Sequence, residues 1–308
     1  MMPRVAALVL NFNDAKDTLE CVESLERSDY PELEIVLVDN ASEDQSWLKI
    51  AEKYPGITVL RNKENLGYAG GNNAGARFAI GEGCDYIFVL NNDVVVEKSA
   101  VRLLVEYCLK NPSATIAAPK VYRFGTSRTI DSVGTSMDWF RLRPRLGDCG
   151  VEDKGRFPAV LEREIIPGSA LLLSRKLFEV VGFFDEKFFL IHEDADLCLR
   201  NRKAGFKNAV VTSTVVHHKV SSTLSRYPFL AAYYSTRNFL YLAKHRANPG
   251  ERLWVSAGLL CLILKNFLRS FFANDGERKK INGFFKGMRD YYADRMGRQI
   301  EINGGELK

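Results

Sequence analysis

The sequence predicts an α/β fold, a mostly parallel sheet with helices on both faces, followed by a helical C-terminal extension. Three observations carry that reading. Short apolar runs rich in branched residues alternate with segments of helical spacing up to about residue 90. Three of those runs end in a polar cluster, at Asn11–Asp14, Asp39–Ser42 and Asn91–Asp93. Charge and composition then change near Arg226. In a sheet of this kind ligands bind at the carboxyl ends of the strands, so the three polar clusters line the functional edge.

In chain order, Arg4–Leu10 is the first strand. The N-terminal run MMPRVAALVLNFND has no small-residue cleavage site and meets acidic and amide residues at once, so it is read as a strand and not as a signal peptide. Asp14–Arg27 carries Leu19, Val22 and Leu25 at helical spacing. Leu33–Val38 is a strand, Glu43–Tyr54 a helix and Ile57–Leu60 a strand. Ala69–Ile80 follows as a helix of small residues, and Asp85–Leu90 as a strand closing on Asn91-Asn92-Asp93. Residues 119–165 are rich in Gly, Arg and Ser with weak periodicity, which predicts loops and short strands, a mobile active-site or acceptor loop. Ile165–Leu173 predicts a strand interrupted by Pro167-Gly168, and Asn208–His217 another. Between them Asp194–Ala204 is a helix whose acidic first turn suits its dipole. The tail predicts helices at Pro228–His245, Glu251–Phe272 and Gly276–Met296. The implied division is an α/β domain over 1–225 and an extension over 226–308.

With 308 residues, 46% of them hydrophobic and 26% charged, the chain is long enough for a large buried core and is unlike a disordered protein. Six cysteines lie far apart with no CxxC pair. That spacing argues against a zinc cluster or disulfide framework and predicts that most are buried thiols in a reducing cytoplasm. The net charge of +5 belongs to the tail alone: residues 1–225 hold 28 Lys and Arg against 31 Asp and Glu, whereas 226–308 hold 15 against 7. No run of eighteen apolar residues occurs, so a conventional membrane span is not predicted. Leu253–Leu264 is a twelve-residue apolar run followed by Lys265 and Arg269, which predicts an interfacial helix at an anionic membrane surface ahead of one packed on the domain. The tail has no helix–turn–helix or RNP-like signature, and a nucleic-acid partner is not expected.

Four motifs bear chemistry. Asp93, just past a strand, can hold a divalent cation that neutralises a diphosphate, although an NND turn alone is common punctuation. In HEDADLCLR, Glu193, Asp194 and Asp196 stand at a helix start, where they either cap it or, beside the apolar run VVGFFDEKFFLI, include a carboxylate raised toward a useful base. His217 and His218 are adjacent on a strand and point to opposite faces, so one at most reaches a metal. NLGYAGGNNAGA, with Gly67, Gly70, Gly71 and Gly75, allows close backbone approach to a ligand but is neither GxGxxG nor a P-loop.

Taken together, the blocks VLNFND, VDNASED, RNKENLGYAGGNNAGARFA, YIFVLNNDVVV, PGSALLLSRKLFEVVGFFDEKFFLIHEDADLCLRNRKAGF and VVHHKVSST resemble, in order, the family 2 glycosyltransferases of the GT-A fold, a Rossmann-like architecture. The likeness is to the rhamnosyltransferase-like branch, spans residues 4 to about 225, and continues as a looser echo in YYSTRNFLYL. The resemblance implies that Asp39, with Asn11 and Asn40, meets the nucleotide base, and that Asn65, Gly67 and Gly71 flank the nucleoside and first phosphate. Asn91-Asn92-Asp93 stands where the family has its DxD motif. Asn91 replaces the first aspartate as a residue of the metal site, leaving Asp93 as the one charged ligand, and Asn92 counts with the donor-binding residues. His218, ahead of His217, matches the late histidine of the metal site, and Asp194 matches the catalytic base, with Glu193 beside it. Gly168 would sit near the sugar and acceptor.

The function so implied is inverting transfer of a sugar from a nucleotide-diphosphate donor, dTDP-rhamnose or a UDP-sugar ahead of a GDP-sugar, with Mg2+ or Mn2+ as cofactor. The implied acceptor is a glycan or lipid-linked glycan in surface polysaccharide or glycolipid assembly, with the enzyme cytoplasmic and peripheral on the inner face of the membrane. Two rivals are weighed against it. A sugar-phosphate nucleotidyltransferase should carry a Gly-rich basic loop after the first strand, where LNFNDAKD has no glycine. A non-catalytic binding module is supported only by Asn91 and is opposed by Asp93, Glu193 and Asp194.

Overall fold

The computed structural model describes residues 2–126, 128–145, 147–220 and 227–300, with the backbone of 302–303 and 306–307. The boundary between residues 225 and 226, and the last residues of the VVHHKVSST block, lie outside the described residues.

Strands β1 (Val5–Asn11), β2 (Leu33–Asp39), β3 (Thr58–Arg61) and β4 (Tyr86–Asn91) form one half of a sheet in the order β4-β1-β2-β3, all parallel. Helices α1 (Ala15–Glu26), α2 (Ser46–Lys53) and α3 (Gly67–Gly81) connect them. Burial on both faces follows from the alternation within β1. Val5, Ala7 and Val9 join a core with Val22 and Leu25 of α1 and Ile50 of α2, whereas Ala6 and Leu8 join a second core with Ala76 and Ala79 of α3. The small residues of α3 let it lie close on the sheet: a Cβ at Gly71 would stand 2.5 Å from Leu10 Cδ1, and one at Gly75 2.8 Å from Val38 Cγ2.

The second half is mixed. β5 (Val94–Val96), α4 (Ala100–Lys110) and β6 (Ile116–Arg123) occupy a stretch for which the sequence pattern makes no assignment. Short strands β7 (Ile130–Ser132), β8 (Met137–Asp138), β9 (Arg143–Pro144) and β10 (Val160–Glu162) carry the weakly periodic segment. β11 (Ala170–Ser174) lies between β4 and β6, antiparallel to both, so the sheet is parallel only in part. The strand expected over Ile165–Leu173 is thus confined to its second half: Ile165 makes only an isolated bridge to Thr135, and Pro167-Gly168 breaks the ladder before Ala170. Helices α5 (Arg175–Val180) and α6 (Glu193–Lys203) cover the face shared with α3, and β12 (Asn208–His218) runs parallel to β6.

The C-terminal helices are α7 (Pro228–Arg246), α8 (Pro249–Ser270) and α9 (Asp275–Tyr292), within a few residues of the expected spans. α7 is built into the α/β body. Phe239 and Leu242 share a core with Ile165, Phe188 and Ala195, and Arg246 Nε reaches the buried Asp196 at 2.6 Å. α9 packs tightly on α7 because a Cβ at Gly283 or Gly287 would collide with the Phe229 or Tyr233 carbonyl, at 2.3 and 2.6 Å. α8 differs from both. It has 22 residues, an 18-residue stretch of which has a mean hydropathy of 1.3, long and apolar enough to cross a membrane by length and composition, and most of its surface is exposed. The helix is longer than its uninterrupted apolar run, which is why the run taken alone reads as too short.

Candidate active site

Strand register gathers the polar ends. Asn11 pairs with Asp39, Leu10 with Asn91, and Asp39 with Arg61, so four parallel strands terminate side by side. Asp39 is fully buried. Its carboxylate accepts from Asn11 Nδ2 (3.0 Å), the Ser42 N–H (3.2 Å) and Arg61 Nε (3.4 Å), and the Arg61 guanidinium lies 4.1 Å over the Trp47 ring. Asn11 Oδ1 in turn accepts from Thr18 Oγ1 (2.8 Å), whose oxygen accepts from Asn92 Nδ2 (3.1 Å). One polar chain therefore runs from the exposed Arg61 through the buried Asp39, Asn11 and Thr18 to the half-buried Asn92.

Asn40 turns the other way. Its Nδ2 donates to Asn65 Oδ1 (2.8 Å) and the Gly67 carbonyl (3.1 Å), and its Oδ1 accepts from Asn62 Nδ2 and the Leu66 N–H. It thereby fixes the loop that leads into α3. Gly67 sits at φ +70 with its missing Cβ 2.3 Å from the Phe189 carbonyl, a position closed to any other residue.

Asp93 is buried beside His218, with Oδ1 and Nε2 3.1 Å apart. His218 Nδ1 lies 2.8 Å from Asp131 Oδ2. Burial disfavours the imidazolium, but the two carboxylates outweigh it and raise His218 to about 9. His217 points to the other face, 3.3 Å from Glu97, as alternation along a strand requires. Two ligands at right angles on one octahedral cation, with bonds of about 2.1 Å, stand about 3.0 Å apart. The Asp93–His218 pair has that spacing, Asp131 stands where a carboxylate orients a ligating imidazole, and a bound cation would displace the proton that the two carboxylates favour on the ring. The donor set therefore fits a divalent cation. Among the described residues no three His, Cys, Asp or Glu side chains form a fuller cluster, so the remaining ligands would be phosphate and water. Asn91 stands at the end of β4, and its N–H donates to the Ser169 carbonyl (3.0 Å).

That bond ties this end of the sheet to the acids of α6. The Gly168 N–H, one residue before Ser169, donates to Asp194 Oδ2 at 2.8 Å, and Asp194 Oδ1 accepts from the Ala195 N–H at 2.7 Å. Burial raises the Asp194 carboxyl above the ordinary range, with these N–H groups drawing part of the shift back. Glu193 is more deeply buried, and its Oε2 has no hydrogen-bond partner among the described residues. Burial first, and the Asp194 charge next, push its carboxyl far upward. Asp196 is consumed by Arg200 (2.7 Å) and Arg246 (2.6 Å), a structural role.

The loop before these acids is held in an unusual backbone. Phe189, Ile191 and His192 all have left-handed φ, at +64, +69 and +76. Such conformations cost non-glycine residues about 1–3 kcal/mol each and persist only when neighbours impose them. The neighbours are Arg237 and Asn238 of α7, both fully buried. Asn238 Nδ2 donates to the carbonyls of Phe188 (2.8 Å), Leu190 (2.5 Å) and Ile191 (2.9 Å), and Arg237 Nη2 to that of Phe188 (3.1 Å). The Phe189 carbonyl accepts from the Tyr68 N–H at 2.8 Å, which joins this loop to α3. Sequence reasoning missed Thr18, Trp47, Arg61, Asp131, Arg237 and Asn238. The only signal for the last two was the echo in YYSTRNFLYL.

Among known proteins, the sequence model of the family described as Glycosyl transferase family 2 matches residues 7–167, just over half of the chain. The chain is 28% identical over 282 residues to an N-acetylglucosaminyl-diphospho-decaprenol L-rhamnosyltransferase of Mycobacterium tuberculosis, covering 80% of this chain and 86% of that protein. It is 24% identical over 208 residues to the low-salt glycan biosynthesis hexosyltransferase Agl10 of Haloferax volcanii, covering 66% of this chain and 63% of that relative's own length. The structure of the mannosyltransferase PcManGT from Pyrobaculum calidifontis, in complex with GDP-Man and Mn2+, is similar with a TM-score of 0.55 and 17% identity, over 96% of this chain and 88% of that one. The fold is of the GT-A type.

Proposed function

The chain belongs to glycosyl transferase family 2, and from that premise we propose that it is an inverting glycosyltransferase. It moves a sugar from a nucleoside-diphosphate donor to a hydroxyl of a glycan or lipid-linked glycan acceptor, in surface polysaccharide or glycolipid assembly. The observation that supports this reading most is the short link between two halves of one site. Gly168 holds Asp194 while Ser169 holds the end of the strand that leads to Asp93. The base of a displacement and the group that receives its leaving anion must face one substrate, and this link keeps them in one neighbourhood.

In the proposed mechanism Asp39 and Arg61 receive the nucleotide base at the sheet edge, beside Trp47. The Asn65–Gly71 segment flanks the nucleoside and first phosphate, and Asn92 stands toward the diphosphate. Asp93 and His218 would hold a divalent cation, which when bound supplies neutralisation of the charge on the departing diphosphate. Asp194, raised in basicity by burial, takes the proton from the acceptor hydroxyl. The hydroxyl oxygen bonds to the anomeric carbon from the face opposite the nucleoside diphosphate, the bond to the diphosphate oxygen breaks, and the configuration inverts. Glu193, kept neutral by its burial, adds no second charge beside the base. The named M. tuberculosis relative supports an L-rhamnosyl donor and a lipid-diphosphate acceptor. We read the enzyme as cytoplasmic and peripheral on the inner face of the membrane, which the exposed apolar side of α8 supports.

Calorimetric titration with dTDP, UDP and GDP, each with Mn2+, Mg2+ or chelator, tests the reading without an acceptor. One nucleotide binding in the micromolar range only with metal is the expected result. Equal binding with chelator removes the cation role of Asp93 and His218, and no binding of any nucleotide overturns the donor reading.

A further inference from the structure

The segment Met137–Arg145 folds as the β8–β9 hairpin, directly against α8. The Phe140 ring meets the Trp254 ring edge to face at 6.0 Å. Gly258 lies so close that a Cβ there would be 1.8 Å from the Phe140 carbonyl and 2.9 Å from Leu142 Cδ1. Beyond this contact Arg141, Arg143 and Arg145 line a concavity of about 270 Å³ with Asp138. Arg141 pairs with Asp138 at 3.1 Å. The Arg143 and Arg145 side chains have no hydrogen bond or ion pair among the described residues. Three arginines against one aspartate leave this concavity with a surplus of positive charge, which favours an anion.

The neighbouring face of α8 is apolar and uncovered. Leu253, Leu260, Leu264, Phe267 and Phe271, spaced seven, four, three and four residues apart, form one stripe about 27 Å long, and each is more than half exposed. Lys265 and Arg269 accompany it, and Arg278, Lys279 and Lys280 follow on α9; all five are exposed. The opposite side of α8, through Val255, Gly258 and Leu259, is docked on the protein. A helix docked on the protein along one side and apolar along the other suits a membrane interface better than a full crossing.

We infer that the β8–β9 hairpin and α8 form one membrane-docking face, in which the apolar stripe enters the headgroup–acyl boundary and Arg143 and Arg145 bind the phosphate of an anionic lipid headgroup. This deepens the membrane part of the reading above and rests on it. A second copy of the chain is the poorer occupant, because pairing two such stripes brings like charges together, whereas an anionic bilayer neutralises them.

The test is co-sedimentation of the full chain with phosphatidylcholine vesicles, with and without phosphatidylglycerol, for wild type, Arg143→Ser/Arg145→Ser and Leu260→Ser/Leu264→Ser. Nucleotide binding serves as the check on folding. Wild type is expected to prefer the anionic vesicles. Loss of the two arginines weakens that binding about thirtyfold, and loss of the two leucines abolishes binding to both vesicle types. Wild type that binds neither vesicle, with nucleotide binding intact, overturns the membrane reading and leaves the transferase reading standing. An arginine variant that binds like wild type overturns the hairpin's part alone. Inorganic phosphate bound by wild type and lost in the arginine variant, without vesicle binding, assigns the cavity to a free anion. A wild-type dimer that the leucine variant breaks, again without vesicle binding, assigns the stripe to a second copy.

Discussion

Replacing Asn238 with alanine should impair turnover from a helix that carries none of the reacting groups. The side-chain amide has two N–H groups and serves three carbonyls, those of Phe188, Leu190 and Ile191, at 2.5 to 2.9 Å. A buried polar group left without its partner costs about 1–3 kcal/mol, so losing two donors costs about 2–6 kcal/mol. The loop can recover part of that by leaving the left-handed conformations at Phe189, Ile191 and His192. That relaxation shifts Asp194, which lies two residues beyond His192. We expect kcat to fall roughly 10- to 100-fold, about 1.4–2.7 kcal/mol, with donor KM changing less than about threefold. Steady-state kinetics of donor turnover, read beside thermal unfolding, separates this from simple destabilisation. Ile281→Ala, at a buried position of α9, is the control, since it costs a comparable 2–5 kcal/mol on a helix that carries none of the loop's donors. Asn238→Ala with a lowered Tm and wild-type kcat, matching the control, would refute the reasoning that α7 positions the base.

Further expectations concern the titrating groups and the metal end. Asp194→Asn should lower kcat by about 10²–10⁴-fold while leaving nucleotide binding intact. Because burial raises the Asp194 carboxyl and the base must be ionised, the acid limb of the wild-type rate profile should lie above the usual carboxylate value near 3.9; a limb below that value rejects the assignment. Asp131→Asn should weaken Mn2+ binding about 10- to 100-fold by calorimetry, with an unchanged Kd removing its orienting role toward His218. His192 is held to about 4 by burial, below its ordinary 6.5, so the folded state prefers the neutral ring. Its stabilisation is complete above pH 6.5 and is lost as pH falls toward 4. His192→Asn, which tolerates the left-handed φ, should flatten stability against pH across that interval in denaturant titrations, and an unaltered slope would contradict the account.

The parallel half of the fold was legible because three of its four strands are apolar runs ending in a polar cluster, and buried parallel strands read that way. Asn11, Asp39 and Asn91 were legible for the same reason, since chain order alone puts them on one edge. β11 was blurred because Pro167-Gly168 sits inside an apolar run that continues on both sides, and periodicity cannot say which side pairs. Asp131 was invisible for a different reason. It lies in a Gly- and Ser-rich stretch, and only the long-range pairing of β7 with β6 brings it to His218. Arg237 and Asn238 read as ordinary helical residues, because a one-dimensional pattern cannot reveal that carbonyls some fifty residues earlier await their donors.

These missed residues alter the sense of the C-terminal extension. A tail that merely tethered the domain would leave the loop before Asp194 to fend for itself, and three left-handed residues there would relax. Instead α7 supplies the donors that keep Phe189, Ile191 and His192 strained, and Arg246 at its end locks Asp196 on α6. The chain then passes through Ala247 and Asn248 into α8, whose outer face carries the apolar stripe. On the proposed reading, base positioning and membrane docking belong to consecutive helices in one packed core, with Phe239 and Leu242 of α7 and Val255 and Leu259 of α8 in the same cluster as Phe188 and Ala195. Cutting the chain after residue 250 should therefore cost turnover as well as vesicle binding. The Leu260→Ser/Leu264→Ser variant, altered only on the outer face, should lose vesicle binding and keep turnover of a soluble acceptor. If that variant lost both together, the division of labour between α7 and α8 would be wrong.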